Sequence, residues 1–106
     1  MAKISHKWLI EWTDNALDSL AGLAPKNRLR VFDIVAELAK AEDPTRVQGV
    51  GTLKAERDKG TWKRRKGDYR IFFMFETDEV VHLKFRYKGT LYILDIRIHH
   101  TGYDRD

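Results

Sequence analysis

Five cations fall within eight residues of this chain: Lys63, Arg64, Arg65, Lys66 and Arg70, in the stretch GTWKRRKGDYRIFF. Residues 54–70 carry eight cations against three anions. Residues 1–53 carry seven of each, and residues 71–106 five against six. The chain's net charge of +4 is therefore concentrated in one segment. A local cationic field suits a polyanion such as nucleic acid. The same charges would also suit a solvated strand edge kept basic to discourage edge-to-edge pairing. Histidines add a second chemistry, because an imidazole titrates near neutrality. His99 and His100 are adjacent, so on a strand they diverge and do not chelate one metal; no metal site is expected.

The elements that must position these groups are legible from periodicity and turn residues. Lys7–Trp12 reads as a strand, with Trp8 and Trp12 as core residues. Thr13 is placed to cap a helix over about 14–23, with Leu17, Leu20 and Ala21 on its apolar stripe. Pro25 suits the first turn of a second helix, which runs to Pro44. Its apolar face is Leu29, Phe32, Val35, Leu38 and Ala39, widened by Val31 and Ile34. Residues 45–60 read as a loop. Strands at 61–66 and 69–76 flank Gly67-Asp68, a pair suited to a two-residue hairpin turn. Strands at 80–87 and 90–98 follow further turns, so an antiparallel meander is predicted.

Alternation along these strands separates two faces. Trp62, Ile71, Phe73, Phe75, Val81, Leu83, Phe85, Tyr87, Tyr92, Leu94, Ile96 and Ile98 are assigned to the side that the helices cover. The opposite surface then carries Lys63, Arg65, Arg70, Lys84, Arg86 and Arg97, with Asp95 and His99 on the last strand. Phe72 and Met74 share that surface. An aromatic among cations suits base stacking beside phosphate pairing, although both residues would also suit a second-side core under a partner. Arg64 falls on the apolar side and is expected to reach water at the sheet margin, unless a bulge intervenes.

The fold class is thus α+β: an N-terminal strand, then a two-helix hairpin packed on one face of an antiparallel sheet. At 106 residues one domain, spanning 1–106, is expected. The chain has no cysteine, which suits a reducing cytosol, and a cytoplasmic location is expected. No apolar run approaches the ~18 residues of a membrane span, and no signal peptide is expected.

The layout resembles the RelE/ParE superfamily of toxins from type II toxin–antitoxin pairs. The resemblance rests on IEWTDNAL, on the W-x-x-R-x-G-D-Y-R run (Trp62, Arg65, Gly67, Asp68, Tyr69, Arg70) and on the ending DIRIHHTGY. It covers about residues 7–105 and implies a compact, microbial-ribonuclease-like fold. RelE-like members cleave messenger RNA without a metal or other cofactor, usually in the ribosomal A site. ParE-like members poison DNA gyrase. In both, a cognate antitoxin wraps and blocks the toxin. Carried over by position, the resemblance implies catalytic roles for Lys63, Arg70, Arg97, His99 and Tyr103. RNA contacts are expected from Arg65, which matches a further basic position of the family, from Phe72, Lys84 and Arg86 on the cationic face, and from Lys66 and His100. Thr61 stands where some nucleases carry a second lysine, and HHTG replaces the common HRR.

On that reading, Arg70 and Arg97 are permanent cations that clamp the transition-state phosphate. Lys63 among cations, or His99, is the candidate base, and Tyr103 stacks on a base or donates a proton. The expected function is a ribosome-dependent messenger RNA endoribonuclease. A gyrase inhibitor and a non-catalytic RNA-binding module are the alternatives.

Overall fold

The computed structural model describes residues 7–53 and 60–98. The order is β1 (Trp8–Trp12), α1 (Asp14–Ala21), α2 (Pro25–Lys40), a 3-10 turn (Pro44–Arg46), β2 (Val50–Thr52), β3 (Trp62–Lys66), β4 (Tyr69–Glu76), β5 (Val80–His82), β6 (Phe85–Tyr87) and β7 (Gly89–Ile98). Five strands form one sheet in the order β1-β7-β4-β3-β2, and β5 pairs with β6 apart from it. β1 runs parallel to β7, whereas the other pairs are antiparallel. Two helices on a mostly antiparallel sheet is the α+β arrangement that the sequence predicts. Among the described residues, no helix is long and apolar enough to cross a membrane.

Thr13 caps α1 as expected: its hydroxyl oxygen accepts from the Ala16 backbone N–H at 3.1 Å. The same hydroxyl lies 3.0 and 3.1 Å from the carbonyls of Ile93 and Leu94, which ties the start of α1 to β7. α1 buries Ala16 and Leu20; Leu17, expected in the stripe, is exposed. α2 begins at Pro25 and buries Val31, Ile34, Val35, Leu38 and Ala39. Leu29 and Phe32 lie outside that stripe and are exposed, though Phe32 meets Trp12 edge-on with centroids 5.7 Å apart. These helical residues close over Trp8, Ile71, Phe73, Leu91, Ile93 and Ile96 of the sheet. Trp12 packs at the core's margin rather than inside it. Gly89 permits the tight crossing of β1, β4 and β7: a Cβ there would fall 1.9 Å from the Glu76 carbonyl oxygen.

Four expectations are corrected. The predicted strand 80–87 is a hairpin, because the backbone reverses at Leu83 and Lys84, both with positive φ (51° and 72°). β4 therefore pairs directly with β7, and the intervening segment leaves the sheet instead of extending a meander. The second correction concerns β7. Its register shifts opposite Phe72 and Phe73, where Leu94 is the extra residue. The bulge inverts parity, so Leu91 and Ile93 enter the core while Tyr92 pairs with exposed Met74. Finally, Arg64 does not reach water. It is 3% exposed, and its Nη1 donates to the Ile34 carbonyl at 3.0 Å and meets Glu37 Oε1 at 2.7 Å. Residues 45–60 are also not all loop, since β2 (Val50–Thr52) lies within them.

Candidate nucleic-acid interface

β3, β4 and β7 are adjacent, so their register decides which side chains meet. Arg65 pairs with Arg70, and Arg70 pairs with Arg97. Directly paired residues of an antiparallel ladder share a face, with Cβ atoms about 4.5–5.5 Å apart. Three arginine side chains thus start from one row across the sheet. Two residues along, Lys63 pairs with Phe72 and Phe72 with Asp95, which makes a second row about 7 Å from the first. Ile71 and Ile96 between the rows point to the core, so both rows lie on the face away from the helices. This face is open: the Arg97 side chain is 71% exposed, and Arg65 is exposed as well.

Like charges placed directly opposite one another are destabilising. The row carries two such contacts in succession and no carboxylate within it. What relieves the repulsion lies beside the row. Arg97 Nε meets Asp95 Oδ2 at 3.1 Å, and its guanidinium carbon lies 5.4 Å from the Phe72 ring centroid. Arg70 folds back on the β3–β4 turn, where Nη1 donates to the carbonyls of Gly67 (2.8 Å) and Tyr69 (3.0 Å). Gly67 has φ 59°, which the turn requires and a side chain would strain. The turn that joins the two strands is thus also a clamp on one arginine.

The structure brings together Lys63, Arg65, Arg70, Phe72 and Arg97. It places three other expected RNA contacts elsewhere. Lys66 has the parity of Trp62 and Arg64, so its Nζ points to the helix layer and lies 3.8 Å from Glu37 Oε1. Lys84 sits at the tip of the β5–β6 hairpin, and Arg86 lies on β6 with Nε 3.5 Å from Glu79. Both belong to the end of the molecule where β4 finishes, whereas the arginine row lies where β4 begins. His99, His100 and Tyr103 lie outside the described residues.

Glu37 and Glu42 sit on the helix side. The hydrogen bond from Arg64 holds the Glu37 carboxyl below the usual range, helped by the charges of Arg64, Lys66 and Arg30. Lys88 and then Lys7 lower Glu42 in the same way. A pocket of about 570 Å³, lined in part by Trp8, Trp62, Phe75, Glu42 and Lys88, also opens on that side. It is separated by the sheet from the arginine row.

Sequence reading missed one participant. Asp95 was on the correct face, but no role followed from it. The available signal was D-x-R on a strand, where positions i and i+2 share a face.

No sequence-family model matches this chain, and no curated protein does. Solved structures do. The toxin–antitoxin complex RelBE2 from Mycobacterium tuberculosis superposes with a TM-score of 0.69 at 20% identity, covering 92% of this chain and 98% of that one. The YoeB/ParE toxin from Agrobacterium tumefaciens gives 0.63 at 16%, covering 87% and 99%. The archaeal RelE–RelB complex from Pyrococcus horikoshii gives 0.58 at 17%, covering 91% and 99%. At such identities the likeness speaks to architecture, and it spans nearly the whole of each chain: this protein has the fold of the RelE and YoeB/ParE toxins.

Proposed function

We propose that this chain is the toxin of a type II toxin–antitoxin pair and an endoribonuclease that cuts messenger RNA on the ribosome. The observation that carries the reading is the Arg65–Arg70–Arg97 row beside Lys63. A stable fold gains nothing from three directly opposed cations, whereas a phosphodiester whose charge grows during cleavage is stabilised by them. The fold's likeness to solved toxin–antitoxin complexes supports a toxin role and a cognate antitoxin as partner.

Cleavage by the RNA's own 2′-OH requires a base to remove its proton, cations to hold the pentavalent phosphate, and an acid for the departing 5′ oxygen. Arg70 and Arg97 suit the second task, being always charged. Lys63 is on the same face, one row away, where a base would act. His99 and Tyr103 keep the acid and base roles implied by resemblance. His100 is proposed as an RNA contact on the same ground.

The test is primer extension on messenger RNA after induced expression, with Arg97→Ala as control. Discrete breaks that require translation and vanish in the variant are expected. Intact message accompanied by DNA breaks would overturn the nuclease reading in favour of a gyrase target.

A further inference from the structure

A carboxylate on a surface built for phosphate repels the ligand, so Asp95 calls for an explanation. Its position is unusually well determined. Oδ1 accepts from the Ser19 hydroxyl of α1 at 2.8 Å and from the Ile96 backbone N–H at 2.8 Å. Oδ2 faces Arg97 Nε at 3.1 Å. The Asp95 side chain is 20% exposed, against 71% for the arginine it holds. The bulge at Leu94 lies immediately before Asp95, where β7 has passed the end of β1 and α1 runs alongside. There the Asn15 side-chain amide donates to the Leu94 carbonyl at 3.2 Å, and Thr13 is tied to the same carbonyl. The helix therefore grips β7 at three successive points, and the last of them is a carboxylate.

We propose that Asp95, held by Ser19, is a positioning residue that presents Arg97 as a fixed fork for an RNA phosphate. The geometry divides the guanidinium between two tasks. Nε–H is spent on Asp95, and the face of the group rests over Phe72 at 5.4 Å. An edge and a face are thereby set. The two terminal nitrogens, which carry four of the five N–H donors, form the side that a phosphate grips in bidentate fashion. An exposed arginine without these contacts would have to order itself on each turnover. Phe72 accordingly supports Arg97 in addition to any base it stacks on. The inference rests on the nuclease reading only for the identity of the phosphate.

Two readouts on the full-length protein test it. The first is independent of cleavage: solvent exchange of the Arg97 Nε–H by NMR, its signal identified by loss in Arg97→Lys. Ser19→Ala should speed that exchange roughly tenfold and Asp95→Ala more. Titration with inorganic phosphate should shift the Arg97 terminal nitrogens in the native protein and much less in Asp95→Ala. Asp95→Asn, which keeps the shape but has a single acceptor oxygen for both sides, should fall between and guards against a variant that does not fold. The second readout is cleavage of translated message. Asp95→Ala should lower kcat roughly hundredfold with KM nearly unchanged, because misplacing a clamping group by about 1 Å costs that much. In an Arg97→Ala background it should cost nothing further, and Ser19→Thr should restore what Ser19→Ala loses. Unchanged Arg97 exchange in all three variants, or an Asp95 effect that persists without Arg97, would overturn the proposal. A native protein that cuts no RNA would overturn the nuclease reading, and the exchange and phosphate data would still decide the positioning role.

Discussion

Arg97 and Arg70 differ in what each has already committed, and their variants should separate accordingly. On the proposed nuclease reading Arg97 is a clamp, and its hydrogen bond is to the Asp95 side chain, so in Arg97→Ala the backbone has no reason to move. Cleavage should fall by about 10²–10³-fold, the usual cost of losing one transition-state donor, while circular dichroism and antitoxin binding are retained. Arg97→Lys should remain well below native, because an ammonium cannot form the fork. Arg70→Ala should lose cleavage and also loosen the Gly67 turn, whose carbonyl it holds at 2.8 Å. Faster amide exchange at Gly67 and Asp68, absent in Arg97→Ala, would show it; equal exchange in the two variants would refute the distinction. This face was largely legible in the sequence, since alternation on β3 and β4 puts Lys63, Arg65, Arg70 and Phe72 together without any knowledge of the fold. Lys66 was included because it belongs to the basic run, although its parity sends it to Glu37. Composition grouped these residues, and only direction could divide them.

At the scale of elements, the pairing of β3 with α2 depends on a cation in the core. Arg64 is almost wholly buried, and its Nε has no hydrogen-bond partner. Its compensation comes from Glu37, half exposed, and from the Ile34 carbonyl. Glu37→Gln should therefore cost about 1–3 kcal/mol at pH 7, less than a fully buried pair because water reaches one partner. The folded state favours ionised Glu37, so its contribution is fully present above the ordinary carboxyl pKa of 4.5. It is lost as pH falls through the lowered folded value. Urea titrations of native and Glu37→Gln protein should diverge at pH 7 and converge in that acid range; a constant gap would refute the ion pair's role. The β5–β6 hairpin supports a second prediction. Leu83 and Lys84 both take positive φ, a conformation that costs roughly 1–2 kcal/mol for each ordinary residue. Replacing them with Asn-Gly should raise stability by about 1 kcal/mol or more and leave cleavage unchanged, since the hairpin is remote from the arginine row. This turn was invisible in the sequence because neither glycine nor asparagine marks it. The bulge at Leu94 was equally silent: Leu91-Tyr92-Ile93-Leu94 is a continuous apolar run, so a change of parity within it leaves no mark in the pattern.

The described residues present two surfaces that differ in how their charges are paired. On the helix side Glu37 takes Arg64 and Lys66, and Glu42 takes Lys7 and Lys88. The bare face of the sheet pairs only Arg97 among its arginines with a carboxylate, among the described residues. Among the described residues the bare face therefore carries a cluster of cations of which one arginine is paired with a carboxylate, an arrangement that suits a polyanion. That asymmetry predicts a salt dependence with a definite size. On the proposed nuclease reading Lys63, Arg65, Arg70 and Arg97 are the cations that meet phosphates, and each phosphate neutralised on a single strand contributes about −0.7 to the slope of log K against log salt. Binding of a short single-stranded RNA, followed by fluorescence anisotropy, should show a slope near −2.8 for four contacts, counted at that increment. Arg65→Ala should reduce the magnitude by about 0.7, whereas Lys66→Ala, Lys84→Ala and Arg86→Ala should leave it unchanged because Lys66 faces Glu37 and the other two lie on the β5–β6 hairpin at the far end of the sheet. If the hairpin variants flattened the slope as much as Arg65→Ala, RNA would have to extend to the far end of the sheet, and the compact four-cation interface would be wrong.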